Sequence, residues 1–315
     1  MHDKKYLNLV SSILELGNFR PPAREGMPPT IGLFGQAITF KDVDSRFPLL
    51  TTKEMDFNNI VVELLWFLRG ESNIKYLVEN KCNIWNDDCY KYYLRLAKKY
   101  EFEPCEKDEF IKHVLSQKKI VLLGGADNDI KEYTFGDLGK VYPHEWRSFA
   151  DSIDQIAKIQ TSIETEPFSR YHVVSAWNPS THHDVALPPC HILFQFYVRF
   201  EKDAKYLDIA FYMRSVDVGL GLPYNVASYA ALLLAVADKT GCIAGDVTFF
   251  GGDTHIYENH QEKLREQALR KPMASPVCVI DSPREVNLWD MKPKDFILRN
   301  YTSHPPVRLK LSVGK

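Results

Sequence analysis

Cys190 stands in the run Leu187-Pro188-Pro189-Cys190-His191, and no other cysteine of the chain is framed so tightly. The two prolines before it lack N–H groups and fix their own φ, so the turn that presents the thiol is stiff. Apolar alternation resumes at once in Ile192–Phe200, which reads as a strand. A thiol at a strand entrance, with Arg214 and Arg170 as candidate positive charges, favours the thiolate and can act as a nucleophile. Downstream, Met213-Arg214-Ser215-Val216-Asp217 and Leu222-Pro223-Tyr224-Asn225 gather a guanidinium, a hydroxyl, a carboxylate and an amide within a short stretch. A guanidinium matches phosphate oxygens through two parallel charge-assisted bonds. An amide offers both a donor and an acceptor, as a base edge requires. Glu63 lies among Leu64, Leu65, Trp66 and Phe67, where a carboxylate is expensive to bury unless it carries protons. His255 and Tyr257, two apart, share a face on an extended segment.

These blocks, with Phe47–Lys53, Val62–Gly70, Gly136–Arg147 around Val141-Tyr142, Val174–Asn178 and Gly251–Tyr257, resemble the thymidylate synthase family in the family's order, from about Tyr6 to Val313. The resemblance implies a mixed α/β (α+β) fold, a large twisted mixed sheet packed by helices, with the sheet forming a dimer interface. It implies transfer of a one-carbon unit from 5,10-methylenetetrahydrofolate to C5 of dUMP through a covalent bond between Cys190 and C6. Glu63 then relays protons to O4, Tyr142 assists loss of the C5 proton and His191 supports the ordered water behind the cysteine. Arg24, Arg214 and Ser215 take the phosphate, joined across a homodimer interface by Arg170. Asn225 reads uracil, His255 and Tyr257 bond the sugar, and Asp217 lies at the nucleotide and the pterin. Lys53, Ile84, Trp85, Leu187, Gly221 and Tyr224 complete the folate set.

Several positions depart from the family pattern. Tyr171 replaces a second phosphate arginine, Pro143 a glycine, and Asp88 a second tryptophan. Glu54 and Asp56 replace basic residues near the folate tail, which implies weak polyglutamate binding. Met213 replaces glutamine, and the chain ends Ser312-Val313-Gly314-Lys315, about two residues past the usual stop. The favoured outcome is reductive methylation to dTMP and dihydrofolate. If water reaches the C5 methylene first, the product is 5-hydroxymethyl-dUMP with tetrahydrofolate, as a dUMP hydroxymethylase makes. A nucleotide or folate binder with little turnover is the remaining reading.

The rest of the chain must position these groups. With 315 residues, 45% hydrophobic and 25% charged, it is an ordinary globular composition, and a net charge of −2 gives no general attraction to nucleic acid. The six cysteines, at 82, 89, 105, 190, 242 and 278, show no Cys-x-x-Cys spacing. With no signal peptide or long apolar run, this points to a reducing cytoplasm, the host's if phage-encoded, and away from a membrane. His182, His183, Cys190 and His191 cluster without a zinc spacing, so no metal is expected. Periodicity predicts helices over Tyr6–Leu16, Asn58–Arg69 behind an Asp56 cap, and Ala227–Asp238. Alternation predicts strands at Ile31–Phe40, Arg170–Trp177, Ile192–Phe200, Tyr206–Met213 and Val247–Phe250. One domain is expected over 1–315, with a mostly helical insertion at about 87–138 and a plain turn at Gly124-Gly125.

Overall fold

A computed structural model describes residues 2–22, 24–124 and 129–310. Gly125 and the terminal Ser312–Lys315 lie outside the described residues. The ten described strands are β1 (Asn18–Arg20), β2 (Thr30–Phe40), β3 (Lys119–Gly124), β4 (Asp129–Thr134), β5 (Val173–Ser175), β6 (His191–Glu201), β7 (Ala204–Asp217), β8 (Ile243–Tyr257), β9 (Val277–Ile280) and β10 (Phe296–Arg299). Contacts divide the chain into two compact units.

The larger unit comprises Met1–Val61, Ala157–Val174 and Cys190–Lys315. Its sheet has the order β1-β2-β8-β7-β6-β5; β7 and β8 run parallel, while β1–β2, β2–β8 and β6–β7 are antiparallel. The parallel pair requires a crossover, supplied by the helix Gly221–Thr240. That helix is buried nearly all round, as its apolar composition predicts, and Gly241 stops it at a left-handed φ of 66°. Register explains which side of the sheet it covers. Phe194, Phe211 and Phe249 face one another across β6, β7 and β8 and are fully buried, and Tyr229 of the helix stacks on Phe211 at 4.1 Å. The next row, Leu193, Tyr212, Phe250 and Ala37, faces the other way and stays open.

The smaller unit comprises Val62–Ile156 and Ser175–Pro189. Its aromatic core gathers Tyr93, Phe110, Tyr133 and Phe135 with ring centroids 5.1–6.2 Å apart. Helices Asn86–Lys99 and Lys107–Ser116 lie in the stretch read as mostly helical, but that stretch also holds β3 and β4, paired antiparallel. Leu122 and Tyr133 point inward from it. The chain between Asp184 and the cysteine turn is braced from this unit: Arg95 donates to the carbonyls of Val185 and Ala186, and Tyr92 to Asp184.

Other expectations shift at their edges. The first helix runs His2–Leu16, with Gly17 N–H closing on the Ile13 carbonyl. The second runs Phe57–Arg69 and is capped by Asp56, which accepts from Asn59 N–H at 3.0 Å. The strand expected over Arg170–Trp177 shrinks to Val173–Ser175. The one expected over Val247–Phe250 extends to fifteen residues. No helix of the described residues is long and apolar enough to cross a membrane.

Candidate active site

In the larger unit, Cys190 precedes β6 and hands its carbonyl to Arg214 N–H on β7 at 2.9 Å. This backbone bond brings the Arg214 side chain beside the thiol, with Nη2 3.9 Å from Sγ. A guanidinium there stabilises a thiolate relative to a thiol. His191, next in sequence, turns to the opposite side of the strand. It is buried, its Nδ1 lies 2.8 Å from Tyr229 Oη, and loss of hydration drives its pKa down to about 3. It is therefore neutral at any working pH. Met213, across from His191 in the ladder, is likewise buried.

β7 and β8 run on to place a second group of residues. Asp217 pairs with His255 in register, and its Oδ1 accepts from the N–H groups of Gly219 and Leu220. His255 Nδ1 is held 3.2 Å from Asp253, which also pairs with Arg20. Accordingly the Asp253 carboxyl is held below its ordinary range, by the His255 hydrogen bond first and the nearby charges after it. Tyr257 packs edge-on against His255 at 5.2 Å. Burial pushes the Tyr257 phenol up to about 12, the charges of Asp217 and Cys190 add to this, and Arg24 opposes it. Cys190, Asp217, Tyr257 and Arg24 thus share one electrostatic neighbourhood, although Arg24 sits in an exposed turn.

Asn225 lies in the first turns of the Gly221–Thr240 helix. The helix has no side-chain cap, and among the described residues the Asn225 amide makes no hydrogen bond, so it does not serve as a structural cap. Gly221 opens the helix close to Asn225 Oδ1. Tyr224 and Ser215 are half-buried. Lys53 is buried rather than free to meet a ligand: its ammonium donates to the Gly219 carbonyl at 2.6 Å, and burial lowers its pKa to about 8 against the pull of Asp217. Arg170 and Tyr171 lie on an exposed loop that also carries Phe168.

The smaller unit holds Glu63, Trp85 and Tyr142. Trp85 Nε1 donates to Glu63 Oε1 at 2.7 Å. Although the Glu63 residue as a whole is only partly covered, its carboxyl is stripped of water, which pushes its pKa up to about 7; the Trp85 bond opposes that rise. Trp66, Phe67 and Tyr142 surround Trp85 and one another at 5.3–6.0 Å, and Tyr142 begins the helix Tyr142–Arg147 with Pro143 in its first turn. Pro143 is accommodated there because the first-turn N–H groups have no helical partner. Ile84 is exposed and Leu187 half-buried.

A thiol beside a guanidinium, on a mixed sheet with a buried crossover helix, gives an α/β protein the parts for nucleophilic catalysis. The thymidylate synthase family model matches residues 4–313. The thymidylate synthase of Mycoplasma pneumoniae is 39% identical over 310 residues, and that of Mesoplasma florum 40% over 310; each alignment covers 98% of this chain and 100% of the relative. The Listeria innocua enzyme is 36% identical over 325 residues, with the same coverage. The chain belongs to the thymidylate synthase family. It is a methyltransferase of that type, with 5,10-methylenetetrahydrofolate as its cosubstrate.

Sequence reasoning missed the Arg20–Asp253–His255 chain, the Tyr229 partner of His191 and the inward turn of Lys53. The His255 link had a readable signal, since Asp253 is two residues away on the same strand face.

Proposed function

We propose that this chain methylates C5 of dUMP to give dTMP and dihydrofolate, with Cys190 as the nucleophile. The observation that carries this reading is the 3.9 Å approach of Arg214 Nη2 to Cys190 Sγ. Addition of the thiolate to C6 places negative charge on C5 and O4, and C5 then attacks the one-carbon unit that the folate supplies. Glu63, poised near 7, exchanges a proton at O4, since an acid with a pKa near working pH can both give and take one. Tyr142 assists removal of the C5 proton. His191 cannot carry protons in this cycle; it fixes the strand behind the nucleophile through Tyr229.

Recognition follows from group chemistry. Asn225 has a free donor and a free acceptor for the uracil edge. His255, oriented by Asp253, and Tyr257 offer hydrogen bonds to the 3′-hydroxyl. Arg214, Ser215 and Arg24 take the phosphate with Arg170 from a second subunit. The open row Leu193, Tyr212, Phe250 and Ala37, continued on the same face by the exposed Tyr197, supports a sheet-to-sheet homodimer. Tyr171 beside Arg170 leaves that cradle one charge short and weakens phosphate affinity. Asp217, Trp85, Ile84, Leu187, Gly221, Tyr224 and Lys53 form the folate set, with Lys53 acting indirectly through the Gly219 carbonyl. One domain over 1–315 with an insertion at about 87–138, in the cytoplasm, completes the proposal.

The hydroxymethyl outcome rested on Met213 and the chain end. The cited relatives are all named thymidylate synthases, and this favours the methyl product. Incubation with dUMP and methylenetetrahydrofolate tests the reading: dTMP and dihydrofolate should form in equal amounts. Tetrahydrofolate with 5-hydroxymethyl-dUMP, or no nucleotide product at all, overturns it.

A further inference from the structure

At the Asp217–Leu220 turn, buried polar groups from distant parts of the larger unit converge. Tyr6 Oη donates to the Val218 carbonyl at 3.0 Å, Lys53 Nζ to the Gly219 carbonyl at 2.6 Å, and Val218 N–H to the His255 carbonyl at 2.9 Å. His260, fully buried, lies between this turn and the last described residues. Its Nε2 is 2.7 Å from the Lys310 carbonyl, and its Nδ1 is 3.8 Å from Asp217 Oδ1. A Cβ at Gly219 would meet Leu309 Cδ1 at 3.0 Å and His260 Nδ1 at 3.1 Å, so the segment leading to Lys310 packs closely on the turn.

We propose that His260 is a positioning residue that couples the backbone at Lys310 to the Asp217 carboxylate and thereby sets folate affinity. The proposal rests on the reading of Asp217 as a folate residue.

The ring's chemistry supports a two-way link. A carbonyl only accepts, so Nε2 carries a proton. A neutral ring would then aim the bare lone pair of Nδ1 at a carboxylate. The cationic ring replaces that repulsion with attraction. Burial lowers the His260 pKa, but Asp217 and the Lys310 carbonyl outweigh it and the net direction is upward, with Lys53 opposing. Asp217 and Lys53 are the charged groups facing His260, and the Tyr257 ring closes the remaining side at 5.5 Å. Lys263, which donates to the Arg308 carbonyl, holds the same segment from the exposed side.

The test is a double-mutant cycle between His260→Gln and a chain ended at Leu309, read as KM for methylenetetrahydrofolate and Kd for dUMP. Each single change should raise the folate KM about tenfold, equivalent to about 1.4 kcal/mol, and leave the dUMP Kd within about twofold. The double variant should be no worse than the worse single one. Additive effects, or an unchanged folate KM in His260→Gln, overturn the coupling. If His260→Gln does not fold, the pH dependence of the folate KM in the two natural-sequence chains decides. Titration of Lys53, near 8, persists in both, whereas a His260 component should vanish in the shortened chain. If full-length enzyme makes no dTMP, the functional reading fails; if it makes dTMP and the cycle is additive, only the His260 proposal fails.

Discussion

Glu63 and Cys190 sit in surroundings built on opposite principles. The smaller unit removes water from Glu63 and gives it one Trp85 N–H, which raises the carboxyl to about 7. The larger unit leaves Cys190 half-exposed and puts a guanidinium at 3.9 Å. A proton carrier needs its two states close in energy, and desolvation achieves that for an acid. A nucleophile needs its anion favoured, and a fixed cation achieves that for a thiol. His191 shows what desolvation alone does to a base: its pKa falls to about 3 and the neutral ring is favoured.

The largest expected effect comes from removing the proposed nucleophile. Cys190→Ser should lose turnover to the limit of assay while dUMP still binds, because an alcohol beside Arg214 is not ionised. Near-normal activity would break the comparison outright. Glu63→Gln should lower kcat by about a hundredfold to ten-thousandfold, the range for a lost general acid or base. It should also change stability in a defined pH window. The raised folded pKa means that the Glu63 contribution is fully present below 4.5 and is lost as pH rises to about 7, by up to roughly 3 kcal/mol. The glutamine variant should lack that decline in chemical denaturation and be the more stable protein above pH 7.

An intermediate effect tests the shared cradle. Equal mixtures of inactive Arg170→Ala and inactive Cys190→Ala subunits should recover about a quarter of wild-type activity after exchange, since half of random dimers are hybrids with one whole site. No recovery, or a monomer in sedimentation, would confine the site to one chain. The smallest effect sharpens the Glu63 side. Trp85→Phe removes the hydrogen bond that lowers the carboxyl's pKa, so the Glu63 limb of the kcat profile should move above 7, by less than about one unit. A downward move would mean that Trp85 stabilises the neutral acid.

The candidate site blocks stand out in the sequence because each is local: Pro188-Pro189-Cys190, Arg214 to Asn225, and Glu63 within its apolar helix. The sheet was less so where glycines interrupted its pattern. Gly251 and Gly252 suggest an end to the strand at Phe250, yet β8 continues to Tyr257. A Cβ at Gly251 would meet Thr254 Oγ1 at 2.4 Å, and one at Gly252 the Arg214 carbonyl at 2.9 Å, so both glycines serve close packing within a continuous strand. The β3–β4 hairpin escaped notice because its inward positions, Leu122 and Tyr133, lie in separate short runs that alternate only once paired. His260 carries no sequence signal, because its partners lie 43 residues before it and 50 after.

The most direct test of the central claim is to trap the bond between Cys190 and C6. With 5-fluoro-dUMP and methylenetetrahydrofolate, the fluorine at C5 cannot leave as a cation, so the adduct should persist through denaturation. Peptide mapping by mass spectrometry should find nucleotide and folate together on the peptide containing Cys190, and on none in Cys190→Ser. Label on another residue, or dTMP synthesis from dUMP by a chain that forms no adduct, would contradict it.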